Sequence, residues 1–207
     1  MNAAARYHQL LSVGRPVVAT YEAAAAWRSS LSAASKTLAR LADTGLITKI
    51  RHGIWHIGTG RPDPAAVLPV LTNPYPSYIS GWSALSRHGM IDQIPSAIFA
   101  VSLDKATTFD TAFDRYKIHH IHPDLFGGYT DSDGLRAGVA TPAKALFDTV
   151  YLFSTRNGHV TLPELELPEG FDHEELDHWS GLVPSRRLRT LTTGNLDRLV
   201  TTEAHRP

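Results

Sequence analysis

The chain of 207 residues contains no cysteine. That absence excludes a disulfide framework, a thiolate nucleophile and any zinc site with a cysteine ligand, and it is compatible with a reducing cytoplasm. Long apolar runs are missing as well. The candidates around residues 23–26 and 97–101 fall far short of the ~20 residues that a bilayer span needs, and residues 1–11 have no signal-peptide core. There is no net charge either, because 20 Lys+Arg balance 20 Asp+Glu. What is present, 43 % apolar residues with 13 Pro and 15 Gly, is ordinary for a globular protein and sufficient for one large domain or two small ones. The expectation is a whole-chain, cytoplasmic protein with no membrane partner.

The zero net charge hides an asymmetry. Residues 1–61 hold eight basic side chains (Arg6, Arg15, Arg28, Lys36, Arg40, Lys49, Arg51, Arg61) against Glu22 and Asp43, a charge of +6, so the rest of the chain carries −6. Opposite-sign halves imply two functional units, one of which can approach a polyanion, and nucleic acid is the first partner to consider. Within the acidic half, Glu164, Glu166, Glu169, Asp172, Glu174, Glu175 and Asp177 occur without an intervening Lys or Arg, and Arg186, Arg187 and Arg189 follow. That pattern reads as a solvated surface or a pair of elements packed by charge, with a docking surface as the sharper alternative.

Local patterning divides the chain in the same way. Ala3, Ala4, Tyr7, Leu10 and Leu11 recur at helical spacing until Gly14-Arg15-Pro16 stops them. Thr20 is a fair N-cap for residues 21–27, and Ser32 for a third helix that ends at Gly45. Leu46, Ile47, Ile50, Ile54, Trp55 and Ile57 are β-prone about a turn at Arg51-His52-Gly53. Helix, helix, short break, helix and hairpin is the order of a winged helix-turn-helix. Pro62, Pro64, Pro69, Pro74 and Pro76 read as a proline-punctuated connection, which places a domain boundary at residue 62. Beyond it come a short helix capped by Ser80 or Ser83 and closed by Gly89, then strands over 97–103, 116–121 and 135–140. Thr141-Pro142 is an N-cap with proline at the first helical position, opening a helix through Phe153. The expected fold is therefore α+β: an N-terminal winged helix-turn-helix domain, residues 1–62, followed by a mixed α/β domain, residues 63–207.

In a helix-turn-helix the second helix of the pair lies in the major groove. Ala34, Leu38 and Leu41 form a core stripe on that helix, which leaves Ser32, Ala33, Ser35, Lys36 and Arg40 for DNA. The serines suit phosphates or base edges, Lys36 and Arg40 suit phosphates, and Ala33 suits a thymine methyl. Few of these are bidentate readers, so phosphate contacts, groove shape and the wing should matter as much. Lys49, Arg51 and His52 beside Gly53 make a basic hairpin tip of the size that reaches a minor groove or a backbone.

The stretch 38–55, LARLADTGLITKIRHGIW, is common to many winged-helix regulators. Residues 78–95, YISGWSALSRHGMIDQIP, together with 140–151, ATPAKALFDTVY, are more particular. The chain resembles the AbiEi-type antitoxins, transcriptional regulators of type IV toxin–antitoxin operons, over about residues 17–152. The resemblance implies repression of its own operon through operator DNA, and a second domain that counters a cognate nucleotidyltransferase-type toxin. The two motif stretches enter as a fold signature and not as catalytic residues. The short acidic end departs from longer relatives, which bears on how the toxin would be neutralised.

Enzyme chemistry finds little support in the residues. Gly127-Gly128 is followed too closely by Asp131-Ser132-Asp133 for the helix that separates such motifs in a nucleotidyltransferase. His120 and His122 share a strand face, with His119 on the other, and lack a third metal ligand at fixed spacing. Ser83, His88 and Asp92 could be drawn as a triad, but nearness in sequence is not triad geometry. Asp148 reads as a structural acceptor or a partner of Lys144 four residues earlier. The expectation is thus a chain that is not an enzyme, with no catalytic residue, metal or cofactor. The rival readings are a protein-interaction module built on the acidic unit and a small metal-dependent enzyme on the histidine strand.

Overall fold

The computed structural model describes residues 3–130, 136–156, 162 and 165–204, and among these the chain is an α+β fold of eight α-helices and two sheets. It begins with α1 (Ala3–Leu11), β1 (Val17–Ala19), α2 (Thr20–Ala26), α3 (Leu31–Asp43), β2 (Ile47–Arg51) and β3 (Ile54–Ile57). Helix α3 and the hairpin stand where hydrophobic spacing puts them. Strand β1 was not anticipated, since three residues are too few to show alternation; it pairs antiparallel with β3 and completes a sheet of order β1-β3-β2. Both expected caps shift toward the N-terminus. At α2 the cap residue is Ala19, whose N–H donates to the Glu22 carboxylate at 2.7 Å. Thr20 instead donates to the Gly53 carbonyl and accepts from Trp55 Nε1 at 3.0 Å, which ties the hairpin to α2. At α3 the cap is Ser30, not Ser32: its hydroxyl accepts from the Ala33 N–H at 3.2 Å. Leu10, Val18, Ala23, Trp27, Ala34, Leu38, Leu41 and Ile47 close the core beneath these elements.

Residues 62–76 are not an irregular connection, because the prolines occupy positions that a helix tolerates. Asp63 caps α4 (Pro64–Thr72) by accepting from the Ala65 N–H at 3.0 Å, and Pro64 takes the first turn, where no amide donor is needed. Pro69, inside the helix, leaves the Ala65 carbonyl without its usual donor. The Ala137 N–H supplies one at 2.8 Å. Ala65, Ala66, Val67, Leu68 and Leu71 are buried by this helix.

The second sheet has order β6-β7-β5-β4-β9-β8. Its strands are β4 (Ser77–Ile79), β5 (Ile98–Ser102), β6 (Thr107–Asp110), β7 (Arg115–His120), β8 (Tyr129–Thr130) and β9 (Val139–Ala140). The strand expected over 135–140 is reduced to β9, with Leu135 outside the described residues. Alternating side chains face opposite ways along a strand. Ile79, Ala100, Tyr116 and Ile118 pack with α4 on one face, whereas Tyr78 and Val101 join α5 (Gly81–Arg87) and α6 (Pro142–Ser154) on the other. Helix α6 starts as expected, with Thr141 Oγ1 accepting from the Lys144 N–H. Finally α7 (His173–Leu182) and α8 (Arg186–Ala204) pack on α6. The acidic run supplies caps and anchors: Asp172 accepts from the Glu175 N–H, and Glu175 accepts from Thr141 Oγ1 and Trp179 Nε1. From the basic run, Arg189 donates to the Val183 carbonyl at the end of α7.

The two sheets are docked. A bulge between Lys49 and Arg51 turns Ile50 into the cluster that also holds Val17, Ile54 and the α4 side chains. The Ile50 carbonyl accepts from the Ala112 N–H at 2.8 Å. Ion pairs Arg61–Asp114 and Asp63–Arg136 hold the segment between.

Candidate nucleic-acid interface

Helix α3 has two faces with different chemistry. Ala34, Leu38 and Leu41 are fully buried, and the side chains of Ser32, Ala33, Ser35, Lys36 and Arg40 are exposed on the rest of the helix. No carboxylate occurs on it before Asp43. The exposed set therefore offers hydroxyl donors, one methyl and two cations, and the one carboxylate of the helix, Asp43, stands at its last residue. Because Ser30 takes the cap, the Ser32 hydroxyl is released from that duty. Two hydrogen bonds tie α1 to the end of α2: Trp27 Nε1 donates to the Arg6 carbonyl and an Arg6 guanidinium nitrogen donates to the Trp27 carbonyl, both at 3.1 Å.

The turn leading into α3 contributes a residue that the sequence reading passed over. Arg28 is exposed and has φ of 48°, a left-handed conformation that costs a side chain roughly 1–2 kcal/mol and that glycine adopts freely. A strained arginine at the entrance to a polar, cationic helix face is where a phosphate contact would be expected. Arg28→Gly should accordingly raise the midpoint of urea unfolding, by about 1 kcal/mol of stability, and weaken any binding of nucleic acid; a destabilised variant would show that Arg28 is held by more than its backbone.

At the hairpin, His52 is exposed in the turn and Gly53, with φ of +79°, permits it. The Lys49 ammonium lies 5.8 Å from the Trp55 ring centroid, and the Arg51 guanidinium 4.8 Å from that of Phe109 in β6. Arg51 is thus engaged with the second sheet, while Lys49 and His52 remain on the open side of the turn. Spacing within the hairpin gave no sign of a ring 58 residues away.

The other sequence-level candidates are dispersed by the fold. Ser83 Oγ accepts from the Phe99 N–H at 2.9 Å and donates to the Ala97 carbonyl, and His88 Nε2 donates to the Ala140 carbonyl at 2.7 Å, so neither serves the other. His120 Nδ1 meets the Asp104 carbonyl, and His122 Nδ1 accepts from the Asp124 N–H. Asp131-Ser132-Asp133 lies outside the described residues. Asp148 does pair with Lys144, as the four-residue spacing suggested. It also accepts from Ser80 Oγ at 2.6 Å and from the Tyr78 hydroxyl at 3.0 Å. Trp179, Phe147 and Tyr78 ring the Lys144 ammonium, their centroids 4.5, 5.0 and 5.6 Å away. A Cβ on Gly128, which has φ of +67°, would lie 2.7 Å from Trp179 and 2.9 Å from the Lys144 stem. Burial pushes the Lys144 amine down and the Asp148 carboxyl up, each opposed by the charge of the other. The two motif stretches, 78–95 and 140–151, meet at this closed cluster.

No family model and no curated protein matches the chain. Among solved structures, the antibiotic-resistance factor ANT(2'')-Ia aligns over 68% of this chain and 92% of its own, at 10% identity and a TM-score of 0.29. The expectation that the chain is not an enzyme is not upheld beside this neighbour, an antibiotic-resistance factor, and is not carried further. At that TM-score the likeness transfers neither a fold nor an activity.

Two histidines make stability depend on pH. Burial holds His56 below its ordinary pKa, and its Nδ1 is buried without a hydrogen-bond partner among the described residues. Burial, then Arg156 and Lys117, do the same for His119. As pH falls through about 6.5, the unfolded chain takes up protons at both sites before the folded chain does, so stability declines. Urea midpoints at pH 7.5 and 5.5 should show this drop, and His119→Gln should shrink it; an unchanged drop would remove His119 from the explanation.

Proposed function

We propose that the chain is an antitoxin-like, cytoplasmic DNA-binding repressor of its own operon. In this reading residues 1–62 act as a winged helix-turn-helix, with α3 in the major groove and the β2–β3 hairpin as the wing. The observation that carries it is the exposed face of α3: Ser32, Ala33, Ser35, Lys36 and Arg40 free of carboxylates, opposite the buried Ala34, Leu38 and Leu41. The +6 charge of residues 1–61 supports it, since neutralised phosphates supply most of the sequence-independent affinity for DNA. Ser35, Lys36 and Arg40 would sit on phosphates or base edges, and Ala33 against a thymine methyl. Lys49 and His52 would reach the backbone or minor groove from the wing, with Arg51 shared between that task and Phe109. Residues 63–207 would meet a nucleotidyltransferase-type toxin, a partner that rests on the sequence resemblance alone.

Binding of the full chain to duplex DNA from immediately upstream of its gene, beside a scrambled duplex and across a range of salt, tests the reading. Tighter binding upstream, falling steeply with salt, is expected. No binding to either duplex at low salt would overturn it in favour of a protein-interaction module.

A further inference from the structure

The geometry points to a binding site for a small organic anion with a planar apolar body, in a cavity of about 350 Å3 between α6 and the sheet. It stands apart from DNA binding. Parallel pairing of β5 with β7 sets Phe99 beside Lys117 and Val101 beside His119, and all four line the cavity. Leu152, Phe153 and Arg156 close it from the α6 side. Its volume lies in the range of small-molecule sites, and its walls are mainly apolar with a few convergent polar groups, as such sites require.

Three of those polar groups are donors, and the Ser80 and Thr149 hydroxyls, which also line the cavity, donate away from it to Asp148 and to the Ala145 carbonyl. The Lys117 ammonium is 5.3 Å from the Phe99 ring centroid, and Arg156 Nη2 donates to His119 Nδ1 at 3.3 Å. Since Nδ1 accepts, the proton of the neutral imidazole sits on Nε2, a third donor. Among the described residues no carboxylate lines the cavity, and neither Lys117 nor Arg156 has an ion-pair partner. Two cations that converge on one cavity without a carboxylate partner among the described residues stand out against the −6 charge of residues 62–207. A bare inorganic anion would leave Phe99, Leu152 and Phe153 unused, and a neutral apolar molecule would leave the cations uncompensated. A ring system bearing one carboxylate satisfies both.

Isothermal titration of the full chain with 2-naphthoate, and with uncharged 2-naphthamide of the same shape, tests this. The acid should bind about tenfold more tightly than the amide, as a charge-assisted contact requires. Lys117→Gln and Arg156→Gln should each weaken the acid by roughly five- to tenfold and leave the amide unchanged; both residues lie at the rim, so folding should persist and is checked by circular dichroism. Leu152→Trp, which fills the cavity, should remove binding of both. Equal affinity for acid and amide, unaltered binding of the acid by the two charge variants, or no binding of the acid to the parent chain would each overturn the proposal. None of these outcomes depends on whether the chain binds DNA.

Discussion

Replacing Asp148 by asparagine is expected to lower the free energy of unfolding by about 3–5 kcal/mol, the cost of leaving one member of a buried ion pair alone. Lys144 and Asp148 are both fully buried, the ammonium within a ring of Trp179, Phe147 and Tyr78. Without the carboxylate, Lys144 must either stay charged in an apolar cage or give up its proton, and the acceptor shared by Tyr78 and Ser80 is weakened as well. The pair itself is not expected to be a large net source of stability, because taking two charges out of water offsets most of their attraction. Lys144→Met together with Asp148→Asn should therefore recover a large part of the loss. Urea unfolding of the parent, both single variants and the double variant gives the coupling energy. A loss below about 1 kcal/mol for Asp148→Asn would mean that the cluster is not closed to water. The cluster matters to function through position: it fastens α6 to β4 and to the start of α5, and so fixes the face on which the cavity opens.

Lys36→Glu combined with Arg40→Glu is expected to weaken DNA binding by at least ~100-fold at moderate salt while leaving stability nearly unchanged, since both side chains are exposed. The milder Arg40→Ala separates two roles. If Arg40 meets a phosphate, the variant binds every sequence more weakly, and the slope of log affinity against log salt falls by about 0.9. If it instead alters preference at a single base pair with the slope intact, Arg40 reads a base edge. Fluorescence anisotropy with labelled duplexes across a salt series distinguishes the two.

Elements with a full turn or more of repeating apolar residues were legible in the sequence, and so were those with a strong stop signal. Leu38 and Leu41 marked the buried stripe of α3, Gly45 its end, and Thr141-Pro142 the start of α6. Part of what escaped was set by distant partners. Strand β1 exists because β3 offers an edge, and α4, signalled locally by the Asp63 cap and Pro64, tolerates Pro69 because the Ala137 N–H takes up the carbonyl left open. The caps moved to Ala19 and Ser30 because Glu22 and Ser30 reach the free amides better than Thr20 and Ser32 do. In the candidate interface, the exposed residues of α3 followed from helical periodicity alone. The engagement of Arg51 with Phe109 and the strain at Arg28 did not, since one depends on the docking of two sheets and the other on a backbone angle. Likewise the Lys144–Asp148 spacing was readable, whereas Tyr78 and Ser80 joined it across about seventy residues.

The absence of cysteine makes a direct mapping of the interface simple, because one introduced thiol is the sole attachment point for a cleaving reagent. Ser35→Cys on α3, carrying iron–EDTA and mixed with the upstream duplex, should cut that DNA at a discrete position on each strand flanking a major groove. The same reagent on Ile94→Cys, at a side chain 91% exposed between α5 and β5, should leave it intact. Cleavage from position 94 with none from position 35 would contradict the placement of α3 on DNA.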